Sequence, residues 1–243
     1  MTKRKRICVV IACIFACSLW GCAESSHTAE NNPTDPGSEK IGMDYTVTPA
    51  STYQIEGKDV RSSLNSHMDY AYDPSLSTQS ELASLIAEGE IQAVYYTHVG
   101  RIAWTQLDVR LTSCPLGEFA EGDIISVYTL GGYVSFADHF SESEIRDFYP
   151  DLSEEEKENT LLLDEIEGVP LPEVGESYLF FLSPSMSGGP FPEGSYEVLM
   201  SYARSMFEID GDAYVNENIG ETFRSSELET AVLARTDDAP AVQ

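Results

Sequence analysis

The chain has 243 residues, 14 Lys/Arg against 41 Asp/Glu, a net charge of −27, and 42% hydrophobic residues. So acidic a surface repels polyanions, which argues against nucleic acid and anionic headgroups as partners, because both are bound by Lys/Arg-rich surfaces; strong acidity is also read as a general solubility feature. The length suits one domain with a sizeable core.

The N-terminal stretch "MTKRKRICVVIACIFACSLWGC" begins with Lys3, Arg4, Lys5 and Arg6 and continues as an apolar run of 14 residues, Ile7 to Trp20, carrying Cys8, Cys13 and Cys17. A membrane-spanning helix needs roughly 20 apolar residues, so the run is read as the apolar segment of a secretory signal over residues 1–21. The three cysteines inside it act as small hydrophobes.

"LWGC", Leu19 to Cys22, resembles the lipobox of bacterial lipoproteins, with an aliphatic residue three before and a glycine directly before the cysteine. Trp20 stands where that motif usually has a small residue. The resemblance implies that Cys22 is acylated on sulfur and becomes the first residue of the mature protein. It also implies attachment to the extracytoplasmic face of the cell membrane without a spanning helix, since stable anchoring takes two or more acyl chains. The other reading is an ordinary signal or uncleaved anchor with an incidental cysteine. Loss of residues 1–21 removes four basic and no acidic side chains, leaving 10 basic against 41 acidic and a net charge of −31. Cys114 then has no partner for an intramolecular disulfide and is expected to be a buried, inert thiol.

Residues 22–44, including "AESSHTAENNPTDPGSEK", lack any aliphatic side chain larger than Ala before Ile41 and read as a flexible tether. Residues 45–74 read either as a strand pair or as an ordered arm. The domain is expected over 75–235, with a frayed tail at 236–243. Thr78 and Glu81 form a capping-box pattern, and Leu82, Leu85 and Ile86 share one face of a predicted helix that Gly89 ends. Two strand-like runs then meet near Gly100. In the second, Leu107, Val109 and Leu111 alternate with Asp108, Arg110 and Thr112, giving one buried and one wet face. "DIISVYTLGGYV" is a third strand ending at Gly131 and Gly132. "SESEIRDFYPDLSEEEKENTLL" reads as helix-like, with "SEEEKEN" a solvated surface. "SYLFFLSPS" is apolar on both faces and so central in its sheet. "SYEVLMSY" and "SMFEIDGDAYVN" follow, the latter with a hairpin signal at Asp210-Gly211. "SSELETAVLAR" is a closing helix. The fold class is mainly β with a few short helices, arranged as a compact barrel of five to seven strands.

The order of "ELASLIAEGE", "DVRLTSCPLG", "EGDIISVYTLGGYV" and "PLPEVGESYLFFL" resembles a group of uncharacterised Gram-positive lipoproteins. It is similar, more distantly, to the netrin and tissue-metalloproteinase-inhibitor type of OB-like barrel. Leu116-Gly117 stands where those domains have Lys-Gly. The resemblance implies an OB-like barrel over about Glu81 to Asn216 and transfers no active site. Zinc chelation through a free N-terminal cysteine, the route of the metalloproteinase inhibitors, is ruled against by an acylated Cys22 a tether away.

Candidate chemistry is sparse. His98, His139 with Asp138, and Ser185 or Ser187 are the side chains of a conceivable triad, but there is no G-x-S-x-G turn. Cys114 with His98 or His139 could supply a thiol nucleophile. Asp210, Asp212, Asn216, Glu217 and Glu221 are oxygen ligands of the kind calcium takes, at a spacing that fails the EF-hand rule. No cofactor and no metal are expected. The loop "SPSMSGGPFPEGSY" brings Met186 and Phe191 onto a long connection where binding residues often sit, and with Tyr133 and Phe136 it could form an aromatic partner-contact patch. Two functions follow: a noncatalytic surface lipoprotein whose barrel binds an envelope protein or cell-wall component, or a lipid-anchored envelope hydrolase using His98, His139 or Cys114.

Overall fold

The computed structural model describes residues 48–49 and 58–237. The leader, Cys22 and the tether lie outside the described residues, as does the chain beyond Asp237. The described residues belong to one compact unit, Gly42–Gln243.

In chain order the elements are β1 (Thr48–Pro49), β2 (Asp59–Ser66), α1 (Leu76–Leu82), β3 (Leu85–Val99), β4 (Ile102–Leu116), β5 (Ile124–Leu130), β6 (Gly132–Ser135), α2 (Phe136–His139), α3 (Glu142–Phe148) and α4 (Glu154–Asn159). They continue with β7 (Thr160–Ile166), β8 (Ser177–Pro184), β9 (Tyr196–Val198), α5 (Tyr202–Ser205), β10 (Met206–Asp210), β11 (Ala213–Asn216), β12 (Glu221–Arg224) and α6 (Ser225–Asp237). The protein is mainly β, as its composition and alternating runs predict.

One sheet has nine strands in the order β1-β3-β4-β5-β9-β8-β10-β11-β12, and β3 also pairs with β8. The pairings β3–β4–β5–β9–β8 therefore return to β3. All are antiparallel except β5–β9. β3 serves both neighbours because Ile86, Glu88, Gly89 and Glu90 have partners on each edge, in β4 and in β8. Three shifts of register against β4 between Ile86 and Ala93 bend it there, as bulges do. Gly89 lies in the bend, where a Cβ would stand 2.5 Å from Val109 Cγ1 and 2.8 Å from the Arg110 carbonyl oxygen. The strand crosses closely at that point because the residue has no side chain.

The alternation in β4 behaves as predicted: Leu107, Val109 and Leu111 are buried, while Arg110 and Thr112 face solvent. β8 is apolar on both faces because each face meets a different core. Phe180 and Leu182 join the main cluster with Leu85, Ile91, Leu107, Val109 and Val127. Leu179 and Phe181 join a second cluster with Ile86, Phe207, Phe223 and Leu228 of α6. A third cluster, Ala103, Val134, Phe136, Ile145 and Leu162, seats the excursion α2–α3.

A second sheet, β2-β7-β6, has β2 parallel and β6 antiparallel to β7. The Gly131-Gly132 pair passes the chain from one sheet to the other. Residues 48–49 and 59–66 are strands that pair with β3 and β7 respectively, not with each other.

Three local expectations change. The first helix ends at Leu82, and Ser75 rather than Thr78 is its N-cap residue. Leu85 and Ile86 are strand instead, paired with Leu182 and Phe181 of β8 and only 2% and 0% exposed, so the pairing takes both apolar side chains out of water. "TLL", read as helix-like, opens β7. The hairpin after β10 pairs Asp210 with Ala213, so its two-residue loop is Gly211-Asp212.

Candidate functional site

β7 ends in a tight turn. Val169 N donates to Ile166 O at 3.1 Å, and both central residues, Glu167 (φ 57°) and Gly168 (φ 75°), have positive φ, as in a type I′ turn. Glu167 is the one non-glycine residue with positive φ among the described residues, a conformation that needs support from its surroundings. The support is visible. Tyr202 Oη accepts from Ile166 N at 3.0 Å and donates to Val169 O at 2.7 Å, spanning the turn. Arg204 Nε and Nη2 both donate to Glu167 Oε1, at 2.8 and 2.6 Å. Asn218 Nδ2 donates to Glu167 Oε2 at 3.0 Å.

Burial pushes the Glu167 carboxyl up, but the Arg204 and Asn218 hydrogen bonds together outweigh it and leave it below the usual carboxylate range. Arg204 is correspondingly raised, its bond to Glu167 being the main cause. The Arg204 guanidinium also lies 4.5 Å over the Tyr70 ring, and Tyr70 Oη donates to Ser201 Oγ at 2.8 Å.

Beside this network opens a cavity of about 380 Å³. One wall is β-register: Tyr178 of β8, Glu208 of β10 and Val215 of β11 stand side by side. Gly168, Val169, Pro170 and Pro172 form a second wall, and Tyr202, Ala203, Met206 and the Asn216–Asn218 turn complete it. Asn216 is structural: its Nδ2 donates to Ala203 O and Met206 O, and its Oδ1 accepts from Asn218 N and Ile219 N. A second cavity, about 480 Å³, lies between the end of β4 and α6, lined by Glu88, Cys114, Tyr214, Leu228 and Val232 among others. Tyr214 Oη donates there to Glu88 Oε1 at 2.5 Å.

The residues singled out in the sequence fall in several places. His98 Nδ1 lies 2.9 Å from Gly100 O, and His139 Nδ1 3.0 Å from Arg101 O, so both imidazoles hold the β3–β4 turn. His98 Nε2 is 3.8 Å from Asp138 Oδ1. The other Asp138 oxygen accepts from Ser135 Oγ, the N-cap of α2, so the carboxylate sits between a hydroxyl and an imidazole instead of behind the imidazole as a triad demands. Cys114 is at the far end of the β3–β4 hairpin, on the order of 30 Å of strand away at 3.3 Å per residue. It is half-buried and faces the second cavity, a correction to the expected buried thiol.

Phe136 is 1% exposed in the third core cluster. Phe191 is buried, stacked on Tyr128 with centroids 4.1 Å apart and edge-on to Trp104 at 4.8 Å. Tyr133 is half-buried against Tyr96, centroids 4.8 Å apart. Met186 is exposed. Among the described residues no three His, Cys, Asp or Glu side chains come together as a metal site.

No protein-family model matches the chain, and no curated protein is significantly similar to it. The site is therefore read from its own chemistry. Sequence reasoning missed Glu167, Arg204, Tyr178 and Glu208. "EG" after an apolar run signals a turn at Glu167-Gly168, but nothing local announces that Arg204 and Asn218, 37 and 51 residues on, close upon it.

Proposed function

We propose that the protein is a membrane-anchored extracytoplasmic lipoprotein whose domain is a noncatalytic binding or interaction module of the cell envelope, built on an OB-like barrel. Support for the barrel is the circuit β3–β4–β5–β9–β8–β3, five strands whose pairings close, since closure of a five-stranded Greek-key sheet characterises that class. Support for the anchor is the "LWGC" motif behind a basic, apolar leader.

The observation that carries the binding role is the dispersal of reactive side chains beside a cavity with none of them. His98 and His139 sit at one end of the β3–β4 hairpin and Cys114 at the other, whereas the cavity at Tyr178 offers aromatic, proline and carboxylate surface and no nucleophile paired with a base. Two measurements test the reading. In a cell that processes lipoproteins, Cys22→Ala releases the protein from the membrane fraction or stalls its precursor; unchanged fractionation and mass exclude the lipid anchor. Cross-linking in the native envelope captures a discrete envelope protein or cell-wall component; an uncross-linked protein that hydrolyses an envelope substrate overturns the noncatalytic role.

A further inference from the structure

Resting on that reading of the domain as a binding module, we propose that the cavity beside Tyr178 takes an alkylammonium group. Four of its lining side chains are ionisable, Glu208, Glu217, Tyr178 and Tyr202, and no Lys, Arg or His lines it. Arg204, on the same short helix as Tyr202 and Ala203, is spent on Glu167 and Tyr70. The cavity thus carries uncompensated negative charge in a protein that is already strongly acidic.

Of the carboxylates that act on the Tyr178 phenol, Glu208 lines the cavity. Burial raises the phenol, and the Glu176, Glu208 and Glu173 carboxylates raise it further, well above the ordinary tyrosine range. Its hydroxyl donates to Glu176 Oε2 at 2.8 Å, which tethers the tip of the ring to a carboxylate. Register then sets Glu208 directly across from Tyr178 on the neighbouring strand, at the Cβ spacing of about 5 Å typical of such pairs. A cation over the Tyr178 face is held by the ring quadrupole and by the adjacent carboxylate together.

Other ligand chemistries fit less well. Anions meet Glu208 and Glu217. A sugar needs amides and hydroxyls free to read its hydroxyl groups, but the Asn216 amide, the Asn218 Nδ2 and the Tyr202 hydroxyl are already committed to backbone groups and Glu167, and the Tyr178 hydroxyl to Glu176. The remaining surface, Met206, Val215, Pro170 and Pro172, is apolar and suits the carbon part of an amine. A small headgroup and a lysine side chain share this chemistry.

Calorimetric titration of the full chain with choline, and separately with N-acetyl-lysine amide, tests the proposal. Saturable binding is expected for at least one, weakened by added salt and about tenfold weaker for the neutral carbon isostere of the same ligand. The tighter arm identifies the source as headgroup or side chain. Glu208→Gln is expected to lose about tenfold in affinity, and Tyr178→Leu to lose affinity as well. Glu142→Gln, an exposed change on α3, keeps wild-type binding and controls for net charge. Equal binding of the neutral isostere, an equal loss in Glu142→Gln, or no saturable heat from either ammonium on folded protein overturns it. If cross-linking then captures a partner as well with Glu208→Gln as with wild type, the binding-module reading stands and the ammonium site alone falls.

Discussion

Arg204 donates twice to one carboxylate oxygen of Glu167, through Nε at 2.8 Å and Nη2 at 2.6 Å, and leaves the other oxygen to Asn218. The pair joins the turn that ends β7 of the three-stranded sheet to α5, which leads into β10 of the nine-stranded one. The Glu167 and Arg204 side chains are only 10% and 26% exposed, so solvent screens the pair weakly.

Removing either partner therefore costs more than a surface ion pair does. Arg204→Met is expected to lower unfolding stability by about 2–3 kcal/mol, toward the range for an uncompensated buried charge, read as a shift of the urea midpoint at unchanged slope. Glu167→Gly loses the same pair but relieves the positive φ of 57°, so it is expected to cost about 1 kcal/mol less than Glu167→Ala. Equal losses for the two variants would show that the turn carries no strain.

Acid unfolding separates two carboxyls of opposite sign. The folded Glu167 value lies below its ordinary 4.5, so its contribution is complete above that value and is lost as pH falls from there through the depressed folded value. Arg204→Met abolishes that loss and flattens this part of the acid limb. Asp164 is the reverse: burial, against a Ser66 hydrogen bond, raises it above 3.8. Its ionisation costs stability as pH rises from 3.8 through the raised folded value, and the cost is removed on acidification. Asp164→Asn should therefore steepen the net loss of stability in acid. Stability measured between pH 3 and 6 in the two variants checks both signs.

Phe191 and Met186 lie in one loop and differ in burial, 8% against 76% exposed. Phe191→Ala removes a ring stacked on Tyr128 and is expected to cost about 3 kcal/mol, whereas Met186→Ala should stay within about 0.5 kcal/mol of wild type. Thermal unfolding of the two variants decides whether the loop is pinned by that ring.

Gly132 and Gly100 both have positive φ, 132° and 61°, but differ in their surroundings. A Cβ on Gly132 would stand 2.6 Å from Thr105 Oγ1, while nothing lies within 4 Å of one on Gly100. Gly100→Ala is expected to cost about 1–2 kcal/mol, the backbone term alone. Gly132→Ala should cost more than about 3 kcal/mol, because overpacking is added to it. Comparable losses in denaturant melts would mean that the β5–β6 passage yields to a methyl group.

The sequence by itself determined what depends on neighbouring residues. Alternation along Leu107 to Thr112 sets the buried face of β4, the double-sided apolar run Leu179 to Leu182 marks a strand between two cores, and Gly100 marks the β3–β4 turn. What only the tertiary structure decided depends on contacts between distant residues. Leu85 and Ile86 suit a helical face as well as a strand, and only the edge of β8 resolves them into β3. Phe136 and Phe191 look alike in loops whether they face a partner or a core, and packing puts both inside. The cavity follows the same rule. Tyr178, Glu208 and Val215 are separated in sequence and meet because β-register aligns three strands, and Arg204 finds Glu167 because a positive-φ turn aims the carboxylate at α5. Periodicity encodes which face of an element is apolar, but not which other element that face meets.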